Sequence, residues 1–485
     1  LGEPPLVPAL SYILLLAMLL CWILSGLAFF LDRYRIPLLI PLVLWLGLNA
    51  YLPWSEYYYP VQDPLQEAGS ASSDSEGRIG ADSDGKIIVV ASNGGGIQAA
   101  AWTARVLTGL EEECRTKCKG SFDQSVHLIS SVSGGSIGTM YFVNEYEGGR
   151  LPRDPAELEE IVDRTEGSSL DEVSWGVLYP DLIRTFFPNP WVLNGWDRGR
   201  ALEQAWLRRD LDTSWANRKR VEQGLLKWRR NAEDSNRPAV IFNTAVVETG
   251  QRLPLATTAL PQDSPGDLSY NQYFKNVDPK PDIPVVTAAR LSASFPYVAP
   301  AARAAVEAKT GHLVDGGYYD NYGISSLVEW LDAELEDNPN IKEVLIVELR
   351  GAPSGPGGPR TDTPECRTEP VVVQDPESTW FSQILAPPQG ALSVRNTGQR
   401  THNDVELDLL QDKWSREADA KEHKGHVEIT RALFEFDGEN PPLSWHLTND
   451  QKDKIEQEWR EEVDDPSDSC AGWDRVQTFL GPKGK

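Results

Sequence analysis

The sequence has few basic residues and few histidines for its length. Its 485 residues include 46 lysines and arginines against 72 aspartates and glutamates, for a formal net charge of −26, and six histidines. Nucleic acids and anionic lipid surfaces attract positive charge, so this balance argues against a nucleic-acid partner and against electrostatic docking on an anionic membrane. An acidic surface also keeps a protein soluble, and the charge alone therefore names no partner.

Cysteine is scarce as well, with five residues in the chain. Cys21 lies in an apolar run, Cys114 and Cys118 are four positions apart at the end of a predicted helix, and Cys366 and Cys470 lie in irregular stretches. No histidine or second cysteine pair completes the spacing of a zinc site, so we expect no metal. Disulfides cannot be paired from the sequence, and free thiols are the equal alternative.

Charged residues are almost absent from the first fifty positions. Residues 6–31 form an apolar run longer than the ~20 residues that cross a bilayer, and residues 36–52 form a second, shorter run with two prolines. A signal peptide fits the first run poorly, because the run is too long, follows no basic segment and precedes more apolar sequence. A buried core helix is the alternative for the second run. The pattern predicts a transmembrane hairpin within residues 1–54.

The remainder of the chain is predicted to contain one folded domain. Residues 55–85 are small, polar and acidic without periodicity, which is typical of a linker. No second linker and no internal repeat follow, so residues 86–485 are predicted to form a single domain. A stretch near 351–378 is too rich in proline and glycine for a core and is interpreted as a surface insertion.

The order of predicted elements indicates an α/β fold. The β-branched run KIIVVAS at 86–92 ends in three glycines and is followed by apolar residues at helical spacing. The run VHLISSVS at 126–133 is followed by a second predicted helix. Strand, loop and helix twice in succession predict a mainly parallel sheet with flanking helices. Further strand-like runs occupy residues 239–249, 312–315 and 341–349.

Two overlapping motifs offer a nucleophilic serine. Gly134 to Gly138 is a literal G-x-S-x-G around Ser136, and the same pattern around Ser133 begins with Ser131 instead of glycine. A nucleophilic serine in an α/β sheet sits on a sharp turn between a strand and a helix. The predicted strand ends where Ser133 begins, so geometry favours Ser133 and places Ser136 a turn into the helix. A purely structural Gly/Ser turn is the third interpretation.

A serine nucleophile needs donors for the oxyanion and a base. Gly94, Gly95 and Gly96 follow the first strand, where backbone N–H groups at a helix N-terminus favour negative charge. A phosphate-binding turn is the alternative use of such a loop, but neither the Lys-Ser/Thr of a P-loop nor G-x-G-x-x-G spacing is present. The predicted base is Asp315, at a strand end before two glycines, with Asp320 as the alternative.

A Ser-His-Asp triad is the competing arrangement. The order Ser133, Asp315, then His402 or His446 matches that of α/β-hydrolases. Neither histidine has a neighbourhood that marks it as catalytic.

Four segments in this order, SNGGGIQAA, SVSGGS, AARLSASFPYVAP and LVDGGYYDNYG, resemble the patatin-like phospholipase family, in particular its membrane-anchored bacterial members. The resemblance covers roughly Lys86 to Ile455. It implies a Ser-Asp dyad without a catalytic histidine, with Ser133 as nucleophile, Asp315 as base and Gly94–Gly96 as oxyanion loop. Two positions depart from the family pattern: Gln98 stands where arginine or lysine is usual, and Ser131 replaces the glycine that opens the elbow.

The expected function is that of a membrane-anchored serine hydrolase acting on acyl esters of phospholipids or lysophospholipids, with no cofactor and with membrane lipid as its partner. A catalytically weak or inactive lipid-binding scaffold is one alternative, with Gln98 and Ser131 as signs of lost activity, and an acyltransferase with the same dyad is another. Arg33 and Arg35, between the two runs, predict a cytoplasmic loop and a catalytic domain on the opposite side of the membrane. A re-entrant second run would return the domain to the cytoplasm.

Overall fold

A seven-stranded sheet lies at the centre of the domain that follows the apolar N-terminal region. The computed structural model describes residues 8–50, 56–63, 85–182, 184, 196–213, 220–230, 237–261, 266–295, 298–352, 380–415, 426–436, 445–464 and 472–483. The strands are β1 (Tyr58–Tyr59), β2 (Lys86–Ser92), β3 (Val126–Val132), β4 (Ala239–Val246), β5 (Arg252–Ala256), β6 (Arg303–Ala304), β7 (Leu313–Asp315), β8 (Glu343–Arg350) and β9 (Glu428–Glu435).

The strand order confirms the predicted α/β class. The central sheet runs β5-β4-β3-β2-β8-β9, and every pair from β4 to β9 is parallel. The two exceptions are β5 and β7, which both pair antiparallel with β4. A separate parallel pair joins β1 to β6. Strand β7 pairs with the carboxyl end of β4. Its last residue, Asp315, therefore lies at the same end of the sheet as the end of β3.

Helices cover both faces of the sheet. They are α1 (Ala9–Asp32), α2 (Leu39–Ala50), α3 (Gly96–Lys117), α4 (Phe122–Ser125), α5 (Gly134–Asn144), α6 (Pro155–Glu166), α7 (Leu170–Gly176), α8 (Arg198–Thr213), α9 (Leu225–Arg230), α10 (Tyr270–Tyr273), α11 (Val285–Ser292), α12 (Ile324–Asp337), α13 (Trp380–Ser415), α14 (Asn449–Asp464) and α15 (Gly472–Leu480). A π-helical turn (Val177–Asp181) continues α7, and a 3-10 turn (Gly316–Tyr318) follows β7.

Strand β2 shows why the central runs are hydrophobic throughout. Successive strand side chains point to opposite faces. Ile88 and Val90 join the core formed with α3 and α5, whereas Ile87 and Val89 join the core formed with α12 and α13. A strand buried on both faces has no solvent side on which to place polar residues, so it reads as a continuous apolar run.

Helices α3 and α5 approach each other closely at their N-terminal ends. A Cβ atom added to Gly134 would overlap the carbonyl oxygen of Gly96, and one added to Gly138 would clash with the carbonyl oxygen of Ala100. The glycines after Ser133 are therefore required by backbone packing. That packing sets the β3–α5 turn directly against the start of α3.

The N-terminal region contains one helix of membrane-spanning length among the described residues. Leu10–Asp32 has a mean hydropathy of 2.6 and is long and apolar enough to cross a membrane. Helix α2 has 12 residues, or about 18 Å of length against a hydrocarbon core of about 30 Å. A full second span, and with it the predicted hairpin, stays a prediction.

Several sequence predictions fall outside the described residues. These are most of the linker, residues 64–84, and the insertion from residue 353 to its end, together with Cys366 and Cys470. The domain boundaries predicted at 54 and 85 likewise stay predictions.

Candidate active site

Ser133 occupies a sharp turn between β3 and α5. It is the N-cap residue of α5, with φ 51° and ψ −122°. Among the described residues, Ser133 and Arg35 are the two that are not glycine and have positive φ. Such a conformation is strained and uncommon for a residue with a Cβ atom, and it concentrates at functional sites. The sharp turn expected at the end of β3 is therefore found at Ser133, whose amide donates to Ser292 Oγ at 3.2 Å.

Ser136 is committed to a buried hydroxyl network beneath this turn. Its Oγ lies 2.8 Å from Ser292 Oγ and donates to Ser131 Oγ at 3.1 Å, while Ser131 Oγ donates to the Ile241 carbonyl at 3.1 Å. All three serines are fully buried. The network supports the elbow from below, and Ser131 acts within it as a small hydrogen-bonding residue.

Asp315 lies beside Ser133 and is buried. One carboxyl oxygen, Oδ1, accepts the Gly317 amide at 2.8 Å. Burial raises the pKa of Asp315 to about 6, while the Ser133 hydroxyl, the Gly317 amide and the charge of Arg395 oppose that rise. The second oxygen, Oδ2, has no well-aligned partner among the described residues. The Ser133 hydroxyl is thus close enough to the Asp315 carboxyl to affect its pKa.

The glycine loop passes directly over Ser133. A Cβ atom on Gly94 would lie 2.9 Å from the Ser133 Cβ atom, so only glycine fits. The Gly94 amide donates to the Asn321 carbonyl at 2.9 Å, and Asn321 Nδ2 lies 3.4 Å from the Gly94 carbonyl. Gly96 begins α3 with φ 63°. Asn321, which no sequence pattern marks as functional, lies in the segment that follows Asp315 and holds this loop through these two hydrogen bonds.

The Gln98 side chain is held by a structural hydrogen bond. It is buried, and its Nε2 donates to the Gly351 carbonyl at 2.6 Å. Asn93 Oδ1 accepts the Gly351 amide at 2.8 Å. Together these two bonds attach the glycine loop and the first turn of α3 to the chain after β8.

Asp320, the alternative base, has its carboxylate occupied by neighbouring donors. Its oxygens accept the amides of Tyr322 at 2.9 Å and Ser325 at 3.0 Å, and the Asn403 side chain at 2.8 Å. The bond from the Ser325 amide attaches this carboxylate to the first turn of α12. Because the oxygens of Asp320 are occupied in this way, Asp315 is the better candidate for the base.

The two histidines of the alternative triad are exposed, and neither is among the groups that act on Asp315. The His402 side chain is 70% exposed and pairs with Glu406 on the same helix, and His446 is exposed. The groups that shift the pKa of Asp315 include no histidine.

We expect His402→Ala and His446→Ala each to keep most of the ester-cleaving activity, because no histidine among the described residues acts on the pKa of Asp315. Steady-state rates of the purified variants check this. A loss of about a thousandfold, the scale for removal of a triad base, would instead assign the base to that histidine.

Comparison with known proteins bears on the same residues. A family model described as patatin-like phospholipase matches residues 90–328, a range that contains Gly94–Gly96, Ser133 and Asp315. These residues form a patatin-like phospholipase domain. The patatin-like domain is that of a lipid acyl hydrolase. Among solved structures, the chain is similar to VipD from Legionella pneumophila, with a TM-score of 0.32, 11% identity, and coverage of 90% of this chain and 72% of VipD. No curated protein matches the chain.

Proposed function

We propose that this patatin-like protein is a membrane-anchored serine hydrolase that cleaves acyl esters of phospholipids or lysophospholipids with a Ser133–Asp315 dyad. The observation that carries the proposal is the strained Ser133 turn next to a buried carboxyl whose pKa is about 6. A base with this pKa is ionised at neutral pH and is still a better proton acceptor than an ordinary aspartate.

In this mechanism the Ser133 hydroxyl attacks the ester carbonyl carbon and passes its proton to Asp315. The negative oxygen of the tetrahedral intermediate accepts hydrogen bonds from the Gly94–Gly96 loop. Since the Gly94 amide already donates to Asn321, the Gly95 and Gly96 amides are the donors we assign. Asp315 then protonates the leaving alcohol, and next removes a proton from the water that hydrolyses the acyl-enzyme. Free fatty acid is released, and Ser133 is regenerated.

Fatty-acid release from defined vesicles tests this function. Purified full-length protein is incubated with vesicles containing phosphatidylcholine or lysophosphatidylcholine, and the products are identified by mass spectrometry. We expect free fatty acid from at least one of them. Lipid binding without any cleavage would support the scaffold alternative, and transfer of the acyl chain to an added alcohol in preference to water would support the acyltransferase.

We further propose that α1 anchors the protein in the membrane and that the catalytic domain faces the non-cytoplasmic side. Two buried thiols offer a readout of this topology. Cys114 and Cys118 lie at the end of α3, and their Sγ atoms are 2.7 Å apart. Disulfides persist in oxidising compartments and are rare in the cytosol.

On the proposed side we expect a Cys114–Cys118 disulfide, formed when the two thiols each give a proton and an electron to a disulfide oxidant that is itself reduced to two thiols. Thiols are alkylated in intact cells and the peptides are analysed by mass spectrometry without reduction, with Cys118→Ser as control. Free thiols, together with a domain protected from added protease until the membrane is permeabilised, would place the domain in the cytoplasm.

A further inference from the structure

The long helix α13 is attached to the loop that carries Asp315. Gln399 Nε2 donates to the Tyr319 carbonyl at 2.6 Å, and Asn403 Nδ2 donates to Asp320 at 2.8 Å. Residues four positions apart lie on one face of a helix. Arg395 lies one turn before Gln399 and therefore shares this face, which is turned toward the candidate active site.

The Arg395 guanidinium lies within electrostatic reach of Asp315. It lies over the Tyr318 ring, 5.4 Å from the ring centroid, and its charge acts on Asp315 to oppose the rise of the carboxyl's pKa. Its Nε is buried and has no hydrogen-bond partner among the described residues. Burial lowers the pKa of the Arg395 guanidinium, and the charge of Asp315 opposes that change. Its Nε is therefore a buried donor close to the site that has no fixed acceptor among the described residues.

Arg395 is also the one charged side chain, within the part of the chain that the structure describes, that acts on the pKa of Asp315. Gln98 brings no charge, and its amide is used on the Gly351 carbonyl. When Asp315 takes up the proton of Ser133, the negative charge moves to the oxyanion at the glycine loop, and Arg395 no longer has a charged carboxylate beside it. An anionic group of the substrate would take the place of that carboxylate.

We propose that Arg395 binds the phosphate of a glycerophospholipid while Ser133 attacks its acyl ester. The inference rests on the proposed function and deepens it, because it selects phosphate-bearing esters over neutral glycerides. A guanidinium offers five donors in a planar fork that matches phosphate oxygens. In a glycerophospholipid the ester and the phosphate are attached to the same glycerol, so a cation next to the dyad is within reach of both.

The test compares two substrates that differ in the phosphate. Full-length wild type and Arg395→Gln are assayed in neutral mixed micelles with phosphatidylcholine and with the diacylglycerol of identical chains. We expect Arg395→Gln to raise KM for phosphatidylcholine by about ten- to a hundredfold, the scale of a lost hydrogen bond to a charged group, and to leave kcat/KM for diacylglycerol within about twofold. Arg395→Lys should recover part of the loss, because it restores the charge without the fork. Arg400→Gln, on the same helix, is the matched control.

Other outcomes overturn the inference. If Arg395 acts only through Asp315, removing its charge raises the pKa of that carboxyl, and both substrates lose rate equally with a shared shift of the acid limb of the pH profile. If wild type cleaves neither substrate, the proposed function fails. Binding of a fluorescent short-chain phosphatidylcholine to wild type and to Arg395→Gln then decides the phosphate site, and equal affinities would reject it.

Discussion

Ser133→Ala is expected to abolish labelling by a fluorophosphonate probe and to lower ester cleavage by about a thousandfold or more. The reason is that, among the residues that the structure describes, no other hydroxyl is placed on a strained strand–helix turn beside Asp315. Ser133 stands on the strained elbow next to Asp315, whereas the Ser136 hydroxyl is occupied by Ser131 and Ser292 below it.

Ser136→Ala is the matched control, since it removes a hydroxyl three residues away on the same helix. We expect it to keep the label and to lose about 1 kcal/mol of stability for each buried hydrogen bond removed. Mass spectrometry of the labelled peptide and thermal unfolding measure the two effects. A label that survives Ser133→Ala and disappears in Ser136→Ala would move the nucleophile to Ser136.

Asp315→Asn is expected to reduce activity on a similar scale and at the same time to stabilise the fold. For wild type, kcat/KM should fall about tenfold per pH unit below about pH 6, because the base must be ionised and its pKa is about 6. The folded-state pKa lies above the ordinary value of 3.8. The native state therefore binds more protons than the unfolded chain in this window, and stability declines as the pH rises through it.

The shift from 3.8 to about 6 corresponds to about 3 kcal/mol at most. Asparagine can keep the bond from the Gly317 amide and carries no charge to bury. Asp315→Asn should therefore unfold at a higher temperature than wild type at pH 7, and the difference should shrink as the pH falls toward 4. An inactive variant with unchanged or lower stability at pH 7 would contradict the raised pKa, and an active one would remove Asp315 from the mechanism.

The parts of this site that could be predicted from the sequence are those determined by local pattern. Ser133 follows a β-branched run and precedes two glycines, and Asp315 ends a short apolar run before two more, so each could be placed at a strand end. The contacts of Asn321 and Arg395 could not be predicted in this way. They depend on how α13 and the loop after β7 pack over the sheet.

Besides the two-residue strands β1 and β6, two strands of the central sheet were missed, for physical reasons. Strand β5 contains Pro254, a residue that is disfavoured inside a sheet but tolerated in an edge strand, and β5 is the edge of the sheet. In β9, Arg431 interrupts the apolar pattern, yet it is buried because Glu348 and Asp404 pair with it from β8 and α13. A buried charge becomes acceptable through partners that lie far away in the chain.

The close approach of Gly134 to Gly96 has a consequence for the evolution of related chains. Any side chain at position 134 would overlap the Gly96 carbonyl, so a descendant that abandoned catalysis would still be selected to retain this glycine for folding. Ser133 is not required by backbone packing in this way, and its strained backbone conformation would be relieved if glycine replaced it. In such lineages we expect Ser133 to be substituted before the glycines that follow it. A glycine-rich turn without the serine would then indicate common ancestry and not retained activity.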